Sequence, residues 1–179
     1  MIVALILLVV ISLLAVTSMR GATSAEAVAG NVRTTELATQ AAEIALRHCE
    51  SSAIKITRVK AATDAGTVDT SDEATYATTM SNSNILRAAT SVQWQSTSTW
   101  DSTATATFVL PSTLVGGTAT YKRPPECMVE SLTGTTTLGT NAAFVVTARG
   151  FGPEVPAADN SRSRPIGTEI WLQSTIEIE

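Results

Sequence analysis

Met1 to Met19 carries no charged side chain, and Ser12, Thr17 and Ser18 are the polar interruptions in a run of mostly Leu, Val and Ile. Nineteen helical residues span roughly 28 Å, about the hydrocarbon thickness of a bilayer. The run leads without a break into residues 22–50, which are rich in Ala, Glu, Gln, Leu and Arg, all good helix formers. There the apolar pattern narrows to one face. Leu37, Ala41, Ile44, Ala45 and His48 recur at spacings of three and four, while Glu36, Gln40, Glu43, Arg47 and Glu50 fall largely elsewhere on the wheel. The pattern predicts a single helix from near residue 1 to about residue 55, roughly 80 Å long. Gly21 and Gly30 are its weak points, each costing about 1 kcal/mol relative to Ala in a helix interior. A cleaved signal peptide is disfavoured, because such segments carry a basic n-region and end at a small-residue cleavage site. A retained membrane helix is the better reading.

The pattern then changes. Residues 56–90 are rich in Ala, Thr and Asp and read as a surface loop with a short helix near Asn84 to Ala89. From residue 91 the period is two. Ser91 to Gln95, Thr103 to Leu110, Thr118 to Lys122, Met128 to Leu132, Phe144 to Arg149 and Glu169 to Ile178 read as strands. In the last, Ile170, Leu172, Ile176 and Ile178 share one face, with Ser174 among them, and Glu169, Trp171, Gln173, Thr175 and Glu177 share the other. A sheet with one apolar face needs a cover, and the small-residue stripe of the long helix can supply it. The expected fold is α+β: a lollipop whose long helix packs its C-terminal half on an antiparallel sheet. The expected organisation is an apolar helix over 1–24 and a head over 25–179. The head comprises the amphipathic half-helix 25–55, the loop region 56–90 and the sheet region 91–179.

Charge sharpens this division. Residues 1–60 hold six basic and four acidic groups, whereas residues 61–179 hold six basic and twelve acidic, so the head is acidic. The whole chain has a net charge of −4, which gives no support to direct nucleic-acid binding. Ser and Thr number 46 of 179 residues and fill the place of charged groups on a solvated surface. The one histidine, His48, rules out a multi-His metal site and disfavours a Ser-His-Asp triad. No catalytic, cofactor-binding or metal-binding residues are assigned, and the chain reads as a non-enzyme. His48 reads as a packing residue near the helix end.

Cys49 near the helix end and Cys127 after Pro124-Pro125 leave three alternatives: two buried thiols, a redox pair or a structural disulfide. A redox pair is usually close in sequence, as in Cys-x-x-Cys. A head outside the cytosol favours the disulfide, which would close a loop worth roughly 4–5 kcal/mol on the chain-entropy account. Two further features are candidates for binding. The stretch Gly150 to Pro165, with Pro153, Pro156, Asp159, Asn160, Arg162 and Arg164, is a contact loop or a solvated hairpin connection. Trp94, Trp100 and Trp171 are a ligand platform or core packing.

Several segments together resemble a known family. Ile2-Val3-Ala4-Leu5-Ile6-Leu7-Leu8 through Ser12-Leu13-Leu14, then Ser18-Met19-Arg20, is similar to the N-terminal segment of PilX-type pilus assembly proteins, as are Ala29-Gly30-Asn31-Val32-Arg33 and Gln40 to Arg47 with Cys49-Glu50 behind it. Pro125-Glu126-Cys127-Met128-Val129-Glu130, Val146-Thr147-Ala148-Arg149-Gly150-x-Gly152 and Leu172-Gln173-Ser174-Thr175 resemble the family's later strands, and residues 56–120 have no counterpart in it. The resemblance implies a pilin-like subunit of a type IV pilus. Such a subunit is held in the inner membrane and then assembled with itself or other pilins, by the pilus assembly machinery, into an extracellular helical filament. Its apolar helix would carry assembly, through Met1, Leu5, Leu8, Ile11 and Leu14, and Met1 is the candidate processed and methylated residue, the alternative being a chain numbered from elsewhere. A minor PilX-like pilin is the first reading and the repeating subunit the second. An adhesive tip subunit and an anchored head that never polymerises are the alternatives. Two departures stand out: Leu5 replaces the Glu that most major pilins carry at that position, and Gly21 stands where pilins often have a nearby Pro.

Overall fold

A computed structural model describes residues 2–64, 80, 84–86, 92–102, 107–117, 120–132 and 142–178. Helix α1 runs unbroken from Ile2 to Asp64, 63 residues or roughly 95 Å. It passes through Gly30 without interruption and ends nine residues beyond the expected position. Tertiary burial accounts for part of that extension: Ile56 and Thr57 are buried under the head, and the Thr57 hydroxyl donates to the Ala53 carbonyl at 2.8 Å.

The other elements are strand β1 (Ile85–Leu86), the single-turn helix α2 (Thr97–Trp100), strand β2 (Phe108–Val109), a 3-10 turn (Ser112–Val115), and strands β3 (Glu126–Ser131), β4 (Ala142–Phe151) and β5 (Glu169–Ile178). The sheet order is β1-β3-β4-β5, with β2 also pairing with β3. β3, β4 and β5 form an antiparallel meander: Cys127 lies opposite Ala148, and Ala148 opposite Leu172. β2 is antiparallel to the start of β3, and β1 is parallel to its end, with Ile85 opposite Val129. The fold is therefore the expected α+β lollipop, but the sheet is mixed rather than wholly antiparallel.

Several local expectations are corrected. Gln93 to Gln95 form a bend and turn rather than a strand, because the Glu130 carboxylate accepts from the backbone N–H groups of Gln93 and Trp94, both at 2.8 Å. That capture uses donors a strand would have offered to a neighbour. Ile85–Leu86 form a strand where a helix was expected, since β3 offers a free edge there. Within Thr103 to Leu110 the strand is confined to Phe108–Val109, and the rest of that expectation falls partly on residues 103–106, outside the described residues. Thr120 to Lys122 are irregular, and Thr118 and Ala119 lie outside the described residues, as do Ala65 to Thr79 of the expected loop.

The helix–sheet interface also turns differently from the sequence stripe. Ala38, Ala41, Ala42, Ala45, Cys49 and Ala53 are fully buried, whereas Ile44 is exposed. The cause is a close backbone approach. A Cβ built on Gly150 of β4 would lie 2.2 Å from the Ala38 carbonyl oxygen and 2.4 Å from the Ala42 nitrogen. Only the smallest side chains fit a helix so near the sheet, so the alanines face inward and the larger Ile44 is turned out. Cys127, Val129, Phe144, Val146 and Ala148 complete this core from the sheet side. In β5 the alternation read from the sequence holds, with Ile178 buried and Trp171, Gln173, Thr175 and Glu177 facing out.

Candidate assembly surface and its anchorage to the head

Before Thr34 every described side chain of α1 is exposed, and Ala38 is the first fully buried one. Among the described residues this is one helix long and apolar enough to cross a membrane, and none of its most apolar stretch is covered by the head. Leu5, Leu8, Ile11 and Leu14, the residues expected to carry assembly, are 66%, 67%, 63% and 64% exposed. Met1 lies outside the described residues. Leu5, Leu8, Val9, Leu13 and Val16 surround the small Ser12 in a shallow groove of about 390 Å³. A ridge on a neighbouring helix can enter such a notch.

Two hydroxyls of the apolar stretch are satisfied within it. The Ser12 hydroxyl donates to the Leu8 carbonyl at 2.7 Å and the Thr17 hydroxyl to the Leu14 carbonyl at 2.9 Å. With the backbone beyond the first turn bonded within the helix, this lowers the cost of placing the segment in hydrocarbon or a dry helix bundle.

Three devices couple this rod to the head. The first is the Ala38–Ala42 seat against Gly150. The second is the Cys49–Cys127 disulfide, which joins α1 to β3 with Cα atoms 6.6 Å apart and closes a loop with a sequence separation of 78. The third is local: the Tyr121 hydroxyl donates to the Leu37 carbonyl at 3.1 Å, and Ser174 donates to Glu50. Burial raises the Tyr121 pKa above its ordinary value, which keeps this donor protonated. His48 stacks on Phe108 with ring centroids 5.9 Å apart. Burial, and then the Lys55 charge, lower its pKa and favour the neutral ring.

Sequence reasoning missed the charge cluster on the far side of the sheet. Arg149 is almost fully buried. It donates to Asp101 at 2.8 Å, to Glu126 at 3.0 and 3.2 Å, to Glu169 at 3.3 Å and to the Trp100 carbonyl at 3.0 Å. Its guanidinium also lies 5.2 Å from the Trp100 ring, 5.3 Å from Phe151 and 5.5 Å from Trp171. Burial opposes its charge, but Glu126 and Asp101 outweigh burial and raise its pKa above the usual value. Arg123 stands 3.6 Å from Glu126 and Arg162 stands 2.7 Å from it, so three guanidiniums meet three carboxylates. For Arg123, burial exceeds the pull of Glu126 and lowers the pKa. The signal was legible only as a pattern of odd positions: Glu126 and Arg149 sit among apolar strand residues.

This cluster decides the fate of two sequence candidates. The stretch Gly150 to Pro165 is not a free contact loop from end to end. Gly150 and Phe151 belong to β4, and Gly152 to Thr168 form a strap tied down at both sides. Arg162 turns inward to Glu126, and Arg123 donates to the Ser163 carbonyl at 3.2 Å. Pro156, Asp159, Asn160 and Arg164 remain exposed. Trp100 is fully buried and meets Trp171 edge-on at 4.8 Å, with its indole N–H donated to the Trp94 carbonyl at 3.0 Å. The three tryptophans therefore do not form one platform. Trp100 is core, while Trp94 and Trp171 border the surface. Among the described residues no group of His, Cys, Asp and Glu is placed to hold a metal.

The molecule is thus an exposed apolar helix seated in a disulfide-pinned α+β head. Residues 1–47 match the family described as PilX N-terminal, and with the long apolar helix this supports a PilX-like type IV pilus protein. No curated protein and no solved structure matches the chain.

Proposed function

We propose that this protein is a structural subunit of a type IV pilus-like filament, with a stalk over residues 1–24, a head over 25–179, and a PilX-like minor role. It waits in the inner membrane and is then assembled, with other pilins or with itself, through Met1, Leu5, Leu8, Ile11 and Leu14. The observation that carries the reading is the unburied apolar helix ahead of a head whose core is complete without it. Outside lipid such a helix must be covered. Burying a few hundred Å² of apolar surface against each neighbour contributes several kcal/mol per contact, at about 25 cal/mol per Å².

Leu5 supports the minor role. A carboxylate at that depth would need a partner, and Leu5 asks for none, so register would come from side-chain packing and head contacts. The test is mass spectrometry of sheared filaments together with cysteine cross-linking along the stalk. The chain at low copy number, cross-linked as a single heterodimer, is the expected result. Long ladders of this chain alone would make it the repeating subunit. Its absence from filaments, with the protein retained in the membrane, would overturn the reading.

A further inference from the structure

The sheet has one long open edge. β3 is flanked on its outer side by β1 and β2, but β5 pairs with β4 through all ten residues and, among the described residues, has no neighbour beyond it. In an antiparallel ladder alternate residues turn both backbone groups outward, so about five N–H groups and five carbonyls face away from β4. Exposed edges are commonly blunted by lysine, proline or a bulge. Glu169–Ile178 contains neither residue, and its register with β4 is unbroken.

A second observation points to what the edge accepts. A groove of about 460 Å³ is lined by Trp171, Leu172 and Gln173 of β5, by Thr147 of β4, and by the turn that carries Trp94. Successive strand residues face opposite sides of a sheet. Thr147 lies opposite Gln173, so Thr147, Trp171 and Gln173 share the face turned away from α1, and the groove lies on that face and borders the edge strand β5. Its far wall is fixed, because Glu130 holds the backbone N–H groups of Gln93 and Trp94. Glu177 is exposed and has no ion-pair partner among the described residues, and residues 61–179 carry twice as many acidic as basic groups.

The geometry points to strand addition: the open edge of β5 receives an extended segment of a different polypeptide. That segment is basic at its ends and places one apolar or aromatic side chain in the groove beside Trp94 and Trp171. Backbone hydrogen bonds supply affinity in this mode, and the pocket for an alternate side chain supplies selectivity. A second copy of this chain is the poorer occupant. It would bring an equally acidic edge, and in the register centred on Gln173 it would set Glu169 opposite Glu177, a like-charge pair that destabilises.

The test uses the full chain in mild detergent. The probe is an end-blocked decapeptide of alternating Val and Thr, with one central Trp and a Lys at each end. A second probe has the same sequence but is N-methylated at every residue, which keeps its side chains and charge and removes its backbone donors from both edges. Fluorescence anisotropy measures affinity, and hydrogen exchange locates the site. We expect binding with new protection across 169–178, affinity lower by about tenfold for the N-methylated probe, and weaker binding by Glu177→Gln. Equal affinity for the two probes, or no protection in β5, overturns the proposal. Concentration-dependent self-association that protects β5 and excludes the probe would assign the edge to a second copy, and would overturn the heterotypic occupant.

Discussion

Gly150→Ala tests the close approach of α1 to β4. The added methyl would lie 2.2 Å from the Ala38 carbonyl oxygen, 2.4 Å from the Ala42 nitrogen and 2.9 Å from the Ala42 Cα. All three are backbone atoms, so no rotamer change relieves the clash and α1 must withdraw from β4 by about 1 Å or more to reach ordinary contact distances near 3.5 Å. Withdrawal is resisted two turns further along, where the Cys49–Cys127 bond holds the same helix to β3. Overpacking of this kind costs about 3 kcal/mol or more, which for a chain of this size lowers the melting temperature by roughly 6–12 °C. Gly30→Ala is the matched control. Nothing lies within 4 Å of a Cβ there, so the same substitution is neutral or stabilises the helix by up to about 1 kcal/mol. The assay is thermal and urea unfolding of the full chain in mild detergent, followed by tryptophan fluorescence, with hydrogen exchange over Ala38 to Ala45. If Gly150→Ala melts with the wild type and leaves that exchange unchanged, the close helix–sheet seat is wrong.

Four further outcomes follow from the same geometry. Arg149→Ala leaves Asp101 and Glu169 without their buried partner and should cost about 3–5 kcal/mol, read as a lower urea midpoint; Arg149→Lys should recover only part, because one ammonium cannot replace the fork that reaches Glu126, Asp101 and the Trp100 carbonyl. His48 is held neutral by burial and by Lys55, so its folded pKa lies below its ordinary 6.5. The unfolded chain then binds the proton more readily, stability is full above about pH 6.5 and falls on acidification through that value, and pH-dependent melting should show this slope in the wild type and lose it in His48→Phe. Cys127→Ser should lower stability by roughly 4–5 kcal/mol on the chain-entropy account, matched by the wild type under reductant, and should reduce pilus yield. Leu5→Glu should be neutral or harmful to assembly, scored by sheared-pilus yield, because the new carboxylate meets partners not built to receive it.

The sequence by itself determined the long helix. An uncharged run through Met19 followed by a helix-forming, one-sided stretch dictates a continuous helix whose apolar pattern narrows to one face, because periodicity and helix propensity act locally. The inward and outward faces of β5 were legible for the same reason: period-two alternation on a half-covered sheet is a local code. The Cys49–Cys127 disulfide was favoured by the exported setting alone; that two elements 78 residues apart meet in space to form it is the work of the fold. Which helical face turns inward was decided by tertiary structure. The sequence stripe included Ile44 and His48, yet the approach of Gly150 selects Ala38 and Ala42, because the smallest side chains allow the closest packing. The parallel strand β1, the captured turn at Gln93 and Trp94, and the inward turn of Arg162 each answer a partner distant in sequence: β3, Glu130 and Glu126. A charge inside a strand reads locally as a defect. Arg149 becomes intelligible only when the fold brings Asp101, Glu126 and Glu169 around it, since the cost of burying a charge is offset by groups that no local window contains.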